Sequence, residues 1–235
     1  MQELDALIGD LLELSRLQSA PALHPEPFDL AELIREQVIA LLPEAEAAGV
    51  QVEVDLPEEG TVPVRADRRL VSRAVQNLLV NALRHGRGAG PAAAGEAPGN
   101  TGEPAPDGTG VDPGALPDTR AAGKARVSRV AVRLLRTSGG VGVAVADDGP
   151  GIPPEELPFV FDRYYRGTSA TARGPGSGLG LAIVRQVAEV HRGRVTVESA
   201  PGAGAIFTLW LPAETLPAET LPAETGAGAA APGGR

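Results

Sequence analysis

Residues 77–85 read NLLVNALRH, and three later stretches follow in order: DDGPGIP at 147–153, FDRYYRG at 161–167 and GSGLGL at 176–181. The first stretch governs how the others are read. On the helical repeat, Asn77, Asn81, Arg84 and His85 fall within about one quadrant, while Val71, Val75, Leu78, Leu79 and Ala82 lie opposite. One face suits docking on a sheet and the other suits lining a cleft. Mg²⁺ prefers hard oxygen ligands and is usually held together with phosphates. An Asn amide oxygen can ligate it without adding negative charge beside a phosphate chain, and Arg84 and His85 can add positive charge. Taken alone, NxxxN is more often a solvated helix face, so its meaning rests on the companion motifs.

Working outward, Asp67 caps this helix, which runs through about His85. Upstream, residues 29–48 read as another helix. Asp29 and Glu32 form a capping-box pattern, and Leu33, Ile34, Val38, Leu41 and Leu42 mark its buried stripe. Pro43 is expected to kink or interrupt it, and Gly49 ends it. Val50, Val52 and Val54 alternate as a strand, and a short strand is expected around Val62–Arg65. Downstream, Val130, Val132 and Leu134 alternate, a Ser-Gly-Gly turn follows, and Val141, Val143 and Val145 alternate again. That is a hairpin, and it delivers Asp147 at the end of its second strand. A helix is predicted from about Leu179 to His191, stopping at Gly193. A strand beginning at Val195 and Val197 turns at Pro201–Gly204 and returns over Ile206–Leu211.

Three stretches stand outside this pattern. Residues 3–19 read as an amphipathic helix with Leu4, Leu7, Leu11 and Leu14 at three-four spacing. So short a helix is marginal alone in water. It either packs on its own domain or forms half of a helical hairpin that dimerises. Residues 86–125 contain 26 Gly, Ala or Pro among 40, with Val111 and Leu116 the only large aliphatics. That is too little apolar surface to offset the entropy of ordering the segment, which is expected to be disordered. After residue 210, LPAET repeats three times before GAGAAAPGGR, a Pro-rich period that cannot bury a face.

The chain has 235 residues and a formal charge of −9, so bulk attraction to nucleic acid is not expected. It has no Cys, which excludes disulfides and thiolate chemistry. No apolar run approaches the roughly 20 residues of a membrane span, and the acidic N-terminus does not resemble a signal peptide.

The downstream motifs complete the chemistry. A carboxylate at a strand end, such as Asp147, can accept a hydrogen bond from the exocyclic amine of a base. The glycines after it let backbone approach that base. Gly176, Gly178 and Gly180 precede a helix whose first N–H groups can meet an anion. The spacing is neither GxGxxG nor a Walker motif. Arg166 and Arg173 flank the intervening segment and can supply charge toward phosphate.

In this order, NLLVNALRH, DDGPGIP, FDRYYRG and GSGLGL resemble the N, G1, F and G2 boxes of sensor histidine kinases, members of the GHKL ATP-binding superfamily. The resemblance covers about residues 3–86 and 127–212. LDALIGDLLELSRLQS at 4–19 is similar to the second helix of their dimerisation and phosphotransfer hairpin. The fold it implies is α+β, a two-layer α/β sandwich (the Bergerat or GHKL ATP-binding fold) preceded by one amphipathic helix. Residues 1–20 would be that helix of an incomplete hairpin, 21–28 a linker, 29–212 the ATP-binding domain with its insertion at 86–125, and 213–235 a low-complexity tail. By motif position, Asn81 would ligate Mg²⁺, Asn77 would line the phosphate side, and Arg84 and His85 would sit by the phosphates. Asp147 would bind the adenine amine, with Gly149, Gly151 and Ile152 shaping that pocket. Arg166 would reach the γ-phosphate. Residues 167–178 would be a lid, and Gly176, Gly178, Leu179 and Gly180 would cover the triphosphate.

Two departures refine the resemblance. In the related gyrase, Hsp90 and MutL ATPases a Glu stands four residues before the metal Asn and acts as base. Here that position is Asn77, and an amide cannot accept the proton. Histidine kinases also carry a phosphoacceptor in the first hairpin helix, within an HELRTPL-like run, and that helix is missing. His24, His85 and His191 all lack its context. The chain is therefore expected to be a truncated or late-started kinase. The reading is the ATP-binding catalytic portion of a bacterial sensor histidine kinase, an enzyme that transfers the ATP γ-phosphoryl to a histidine and on to a response regulator. The alternatives are a non-catalytic nucleotide-binding regulator and a GHKL ATPase. The implied cofactors are ATP and Mg²⁺. The implied partners are a response regulator and an acceptor-histidine helix or second kinase protomer, a homodimer in the parent, with no nucleic acid. The expected location is cytoplasmic, within a parent that can be membrane-anchored.

Overall fold

The computed structural model describes residues 23–57, 61–86, 128–167 and 177–212, together with Gly9. The expected helix at 3–19, the insertion beyond Gly86 and the tail from 213 lie outside the described residues. The elements in order are β1 (Glu26–Asp29), α1 (Leu30–Ala47), β2 (Val50–Asp55), β3 (Pro63–Ala66), α2 (Arg68–His85), β4 (Ser128–Thr137), β5 (Gly140–Asp147), a short 3₁₀ turn (Leu157–Phe159), α3 (Gly180–Val190), β6 (Arg194–Ser199) and β7 (Ala205–Pro212).

Five strands form one sheet in the order β2-β4-β5-β7-β6. β2 runs parallel to β4, and the remaining pairs are antiparallel. Strand alternation sorts side chains by face. Val130 and Val132 on β4, Val141, Val143 and Val145 on β5, and Phe207, Leu209 and Leu211 on β7 are all buried. The three helices cover this face: α1 packs on β2, α2 on β4, β5 and β7, and α3 on β6 and β7. Burying each such aliphatic side chain contributes roughly 1.5–3 kcal/mol. The result is the α+β two-layer sandwich expected from the motifs. Among the described residues no helix is long and apolar enough to cross a membrane.

The helices start where their caps predict. The Asp29 carboxylate accepts from Ala31 N–H at 3.0 Å and Val62 N–H at 2.9 Å. The Asp67 carboxylate accepts from Leu70 N–H at 3.1 Å. Three sequence readings need correction. Residues 26–28 are not linker: Glu26–Asp29 pairs antiparallel with Pro63–Ala66, and Phe28 is buried. Pro25 and Pro27 mask the strand in the sequence, but a two-stranded ladder has only edges, where proline is tolerated. Pro43 does not interrupt α1, which is continuous through it. The carbonyl that its missing N–H cannot pair belongs to Ile39, and Ile39 and Pro43 are both exposed residues, where water can replace that bond. Leu42 is not part of the buried stripe. It is 39% exposed, and Ala45 continues the stripe instead.

Candidate nucleotide site

The polar stripe of α2 takes the position its period predicts. Val75, Leu78, Leu79 and Ala82 are buried against the sheet. Asn77, Asn81 and His85 are half-buried on the other side, and Arg84 is exposed. The C-terminal end of α2 meets the end of β5. A Cβ on Gly86 would lie 3.8 Å from the Asp147 Cβ, and one on Gly149 would strike the His85 carbonyl oxygen. Only glycine fits at 149.

Asp147 follows Val145 on the helix-facing side of β5 and is 9% exposed. Burial raises its pKa from 3.8 to about 6. Hydrogen bonds from the Gly149 and Ala205 N–H groups pull it down, and the neighbouring Asp148 charge pushes it up. The Gly149 bond to Oδ1 is 3.0 Å. At neutral pH Asp147 is a desolvated carboxylate, a strong acceptor for an amine donor. His85 behaves differently from its sequence reading. Burial first and the Arg84 charge second lower its pKa, so the unliganded fold disfavours the charged form of the ring.

The turn between β6 and β7 supports the 147–153 loop. Ser199 Oγ accepts from Ile152 N–H at 2.9 Å, and Gly202 N–H donates to the Pro150 carbonyl. Gly151 has φ +72°, and a Cβ there would strike the Ala200 carbonyl. Gly204 has φ +76°, and a Cβ there would strike the Asp147 carbonyl. From sequence Gly204 was read only as the end of the Pro201–Gly204 turn, and Ser199 was not singled out; nothing in that stretch names the loop it supports.

Two turns back along α2, at mid-helix, the start of α3 lies against Asn77. A Cβ on Gly180 would be 3.7 Å from both Cγ and Oδ1 of Asn77. Asn77 Nδ2 is buried with no hydrogen-bond partner among the described residues. Leu179, the N-cap of α3, supplies no side-chain cap, which leaves first-turn N–H groups open to an anion. An orphaned amide donor and an uncapped helix start converge there, and both fit phosphate oxygens. Among the described residues no group of three or more His, Cys, Asp or Glu could hold a metal ion. An amide oxygen together with phosphate oxygens is a ligand set that Mg²⁺ accepts.

Tyr164 N–H donates to the Gly178 carbonyl at 2.9 Å. Gly178 has φ +68°, and a Cβ there would lie 2.9 Å from the Tyr164 backbone. This bond joins the FDRYYRG and GSGLGL motifs across the expected lid. Arg166 is exposed just beyond it. Arg173 and Gly176 lie outside the described residues.

One helix thus carries the whole arrangement. The α2 axis spans roughly 12 Å from residue 85 to residue 77. A buried carboxylate stands at one end, uncapped amides at the other, and Asn81 between them. The family model described as histidine kinase-, DNA gyrase B-, and HSP90-like ATPase matches residues 66–215. The chain belongs to this ATPase family. Among its relatives, the signal transduction histidine-protein kinase AfsQ2 of Streptomyces coelicolor is 32% identical over 212 residues, 90% of this chain. The chain spans only 31% of that protein's length. The solved mycobacterial sensor histidine kinase MprB is 27% identical with a TM-score of 0.56, covering 82% of this chain and all of that one. Full-length ShkA in complex with AMPPNP has a TM-score of 0.62 at 22% identity, covering 88% of this chain and 36% of that one, a likeness of fold. Within the family, the chain carries an ATP-binding catalytic domain of the histidine kinase type.

Proposed function

We propose that this domain holds Mg²⁺-ATP along α2 and delivers its γ-phosphoryl to a histidine on a helix outside this chain, from which it passes to a response regulator. The observation that carries this reading is the placement of Asp147 at the C-terminal end of α2 and of the Asn77–Gly180 approach two turns earlier, at mid-helix. Asp147 accepts the adenine amine, with Gly149, Gly151 and Ile152 forming the wall beside the base. Asn77 Nδ2 and the first N–H groups of α3, with Gly178, Leu179 and Gly180, meet the phosphates, and Gly176 belongs to the same motif. Asn81 offers the amide oxygen for Mg²⁺, while Arg84 and Arg166 offer charge. Mg²⁺, when bound, would offset the charge of the phosphates. The protein's contribution to in-line transfer is positioning and electrostatics.

None of the three histidines is offered as acceptor. Both ring nitrogens of His191 are engaged within the fold, His85 lines the cleft, and His24 precedes β1 without a paired carboxylate motif. ATP titration of the full chain with and without Mg²⁺, alongside Asn81→Ala and Asp147→Asn, tests the pocket. Unchanged affinity in both variants would overturn it. Mixing the chain with an acceptor-bearing hairpin tests the chemistry. Phosphate appearing on the hairpin supports the kinase, and binding without transfer favours a nucleotide-sensing regulator. Steady ATP hydrolysis by the chain alone would favour a GHKL ATPase, which Asn77, lacking a base, disfavours.

A further inference from the structure

His191 closes the far end of the α2–α3 pair. Its Nδ1 lies 2.8 Å from the Val187 carbonyl, and Asp67 N–H reaches its Nε2 at 3.0 Å. The backbone N–H can only donate, so Nε2 is the acceptor and the neutral ring carries its proton on Nδ1. Asp67 is 6% exposed and is the N-cap of α2. Its carboxylate accepts from Leu70 N–H at 3.1 Å and from His24 N–H at 3.3 Å. A single residue thus ties the start of α2 to the end of α3 and to the chain entering β1.

The two helices are antiparallel, with His191 against Asp67 at one end and Gly180 against Asn77 at the other. Asp67 to Asn77 and Gly180 to His191 each span roughly 15 Å at helical rise. Packed helices shift past one another in discrete steps set by their side-chain ridges. A polar bond that fits only one register therefore selects among those steps. We infer that His191 is a positioning residue for nucleotide binding, setting the axial register of α3 on α2 and so the placement of the α3 N–H groups beside Asn77. The same bond set, through Asp67 and His24, connects that register to the segment entering the domain.

This inference rests on the nucleotide-site reading, and the experiment separates the two. Mg²⁺-ATP affinity and melting temperature are measured on the full chain and on His191→Phe, His191→Gln and Leu41→Ala. Phe fills the ring volume without an acceptor, and Gln can place an oxygen near the Nε2 position. Leu41 is buried on α1 and has no part in the site, so its truncation lowers stability alone. The expected result is a roughly tenfold loss of affinity in His191→Phe. His191→Gln and Leu41→Ala should stay within about twofold of the parent. Parent-like affinity in His191→Phe, or equal losses in the Phe and Gln variants, would overturn the positioning role. So would an affinity in Leu41→Ala that falls with its melting temperature. A parent chain that does not bind ATP would overturn the site reading itself, and this inference with it.

Discussion

Gly180 at the start of α3 faces Asn77 on α2 so closely that a Cβ there would touch its amide, and the buried Nδ2 of Asn77 has no partner among the described residues. A buried donor left unpaired costs about 1–3 kcal/mol. Asn77→Ala is therefore expected to leave the unliganded chain as stable as the parent or more so, while ATP affinity falls about tenfold. Urea denaturation paired with nucleotide titration checks both halves. A variant that loses stability but keeps affinity would show that the amide serves packing.

Asp147 links stability to pH in the opposite sense from a salt-bridged carboxylate. Its folded pKa of about 6 lies above the ordinary 3.8. Between those values the folded state holds more of the proton, so this group's contribution to stability falls as pH rises. Above the window the cost of keeping it ionised is on the order of 3 kcal/mol. Asp147→Asn should therefore stabilise the unliganded chain by about 1–3 kcal/mol at pH 7.5, with little gain near pH 4. The same variant should lose adenine recognition, because an amide presents fewer acceptor sites. In the parent, ATP affinity should decline as pH falls through the Asp147 pKa. Denaturation curves at the two pH values and titrations across the window measure each effect.

Gly202 and Gly204 provide a matched pair. Both have positive φ, 78° and 76°, but a Cβ on Gly202 meets nothing within 4 Å and one on Gly204 strikes the Asp147 carbonyl. Gly202→Ala should cost about 1–2 kcal/mol, the left-handed backbone penalty. Gly204→Ala should cost about 1–3 kcal/mol more and weaken ATP binding as well, because the atom displaced belongs to Asp147. Thermal melts and nucleotide titration of the two variants separate backbone conformation from site geometry.

The chain incubated with Mg²⁺-ATP should not label itself on histidine. Radiolabel that is acid-labile and base-stable, carried by this chain in isolation, would show that His24, His85 or His191 had been misjudged.

Much of the site was legible in the chain because its signals are local. The period of α2 alone separates Asn77 and Asn81 from Val75 and Leu78. The alternation of β5 carries Asp147 to the helix-facing side two residues after Val145. These are patterns of 3.6 and 2 that need no distant partner. Caps at Asp29 and Asp67 were readable for the same reason. The two-layer sandwich was what the resemblance of the motifs to histidine kinases implied, since an amphipathic helix by itself docks on helices as readily as on a sheet.

What tertiary structure decided depends on partners far away in the chain. β1 exists because residues 63–66 pair with it. Helix α1 passes Pro43, which lies on its exposed face. Burial lowers the pKa of His85, which no local pattern reports. Gly204 matters because the Asp147 carbonyl lies where its side chain would be. His191 looked like an ordinary helix end until Asp67, 124 residues away, was found bonded to its ring. Short-range periodicity chose the elements and aimed their faces. Only packing could assign charge states, close contacts and helix register, because each depends on which distant atoms exclude water at a given point.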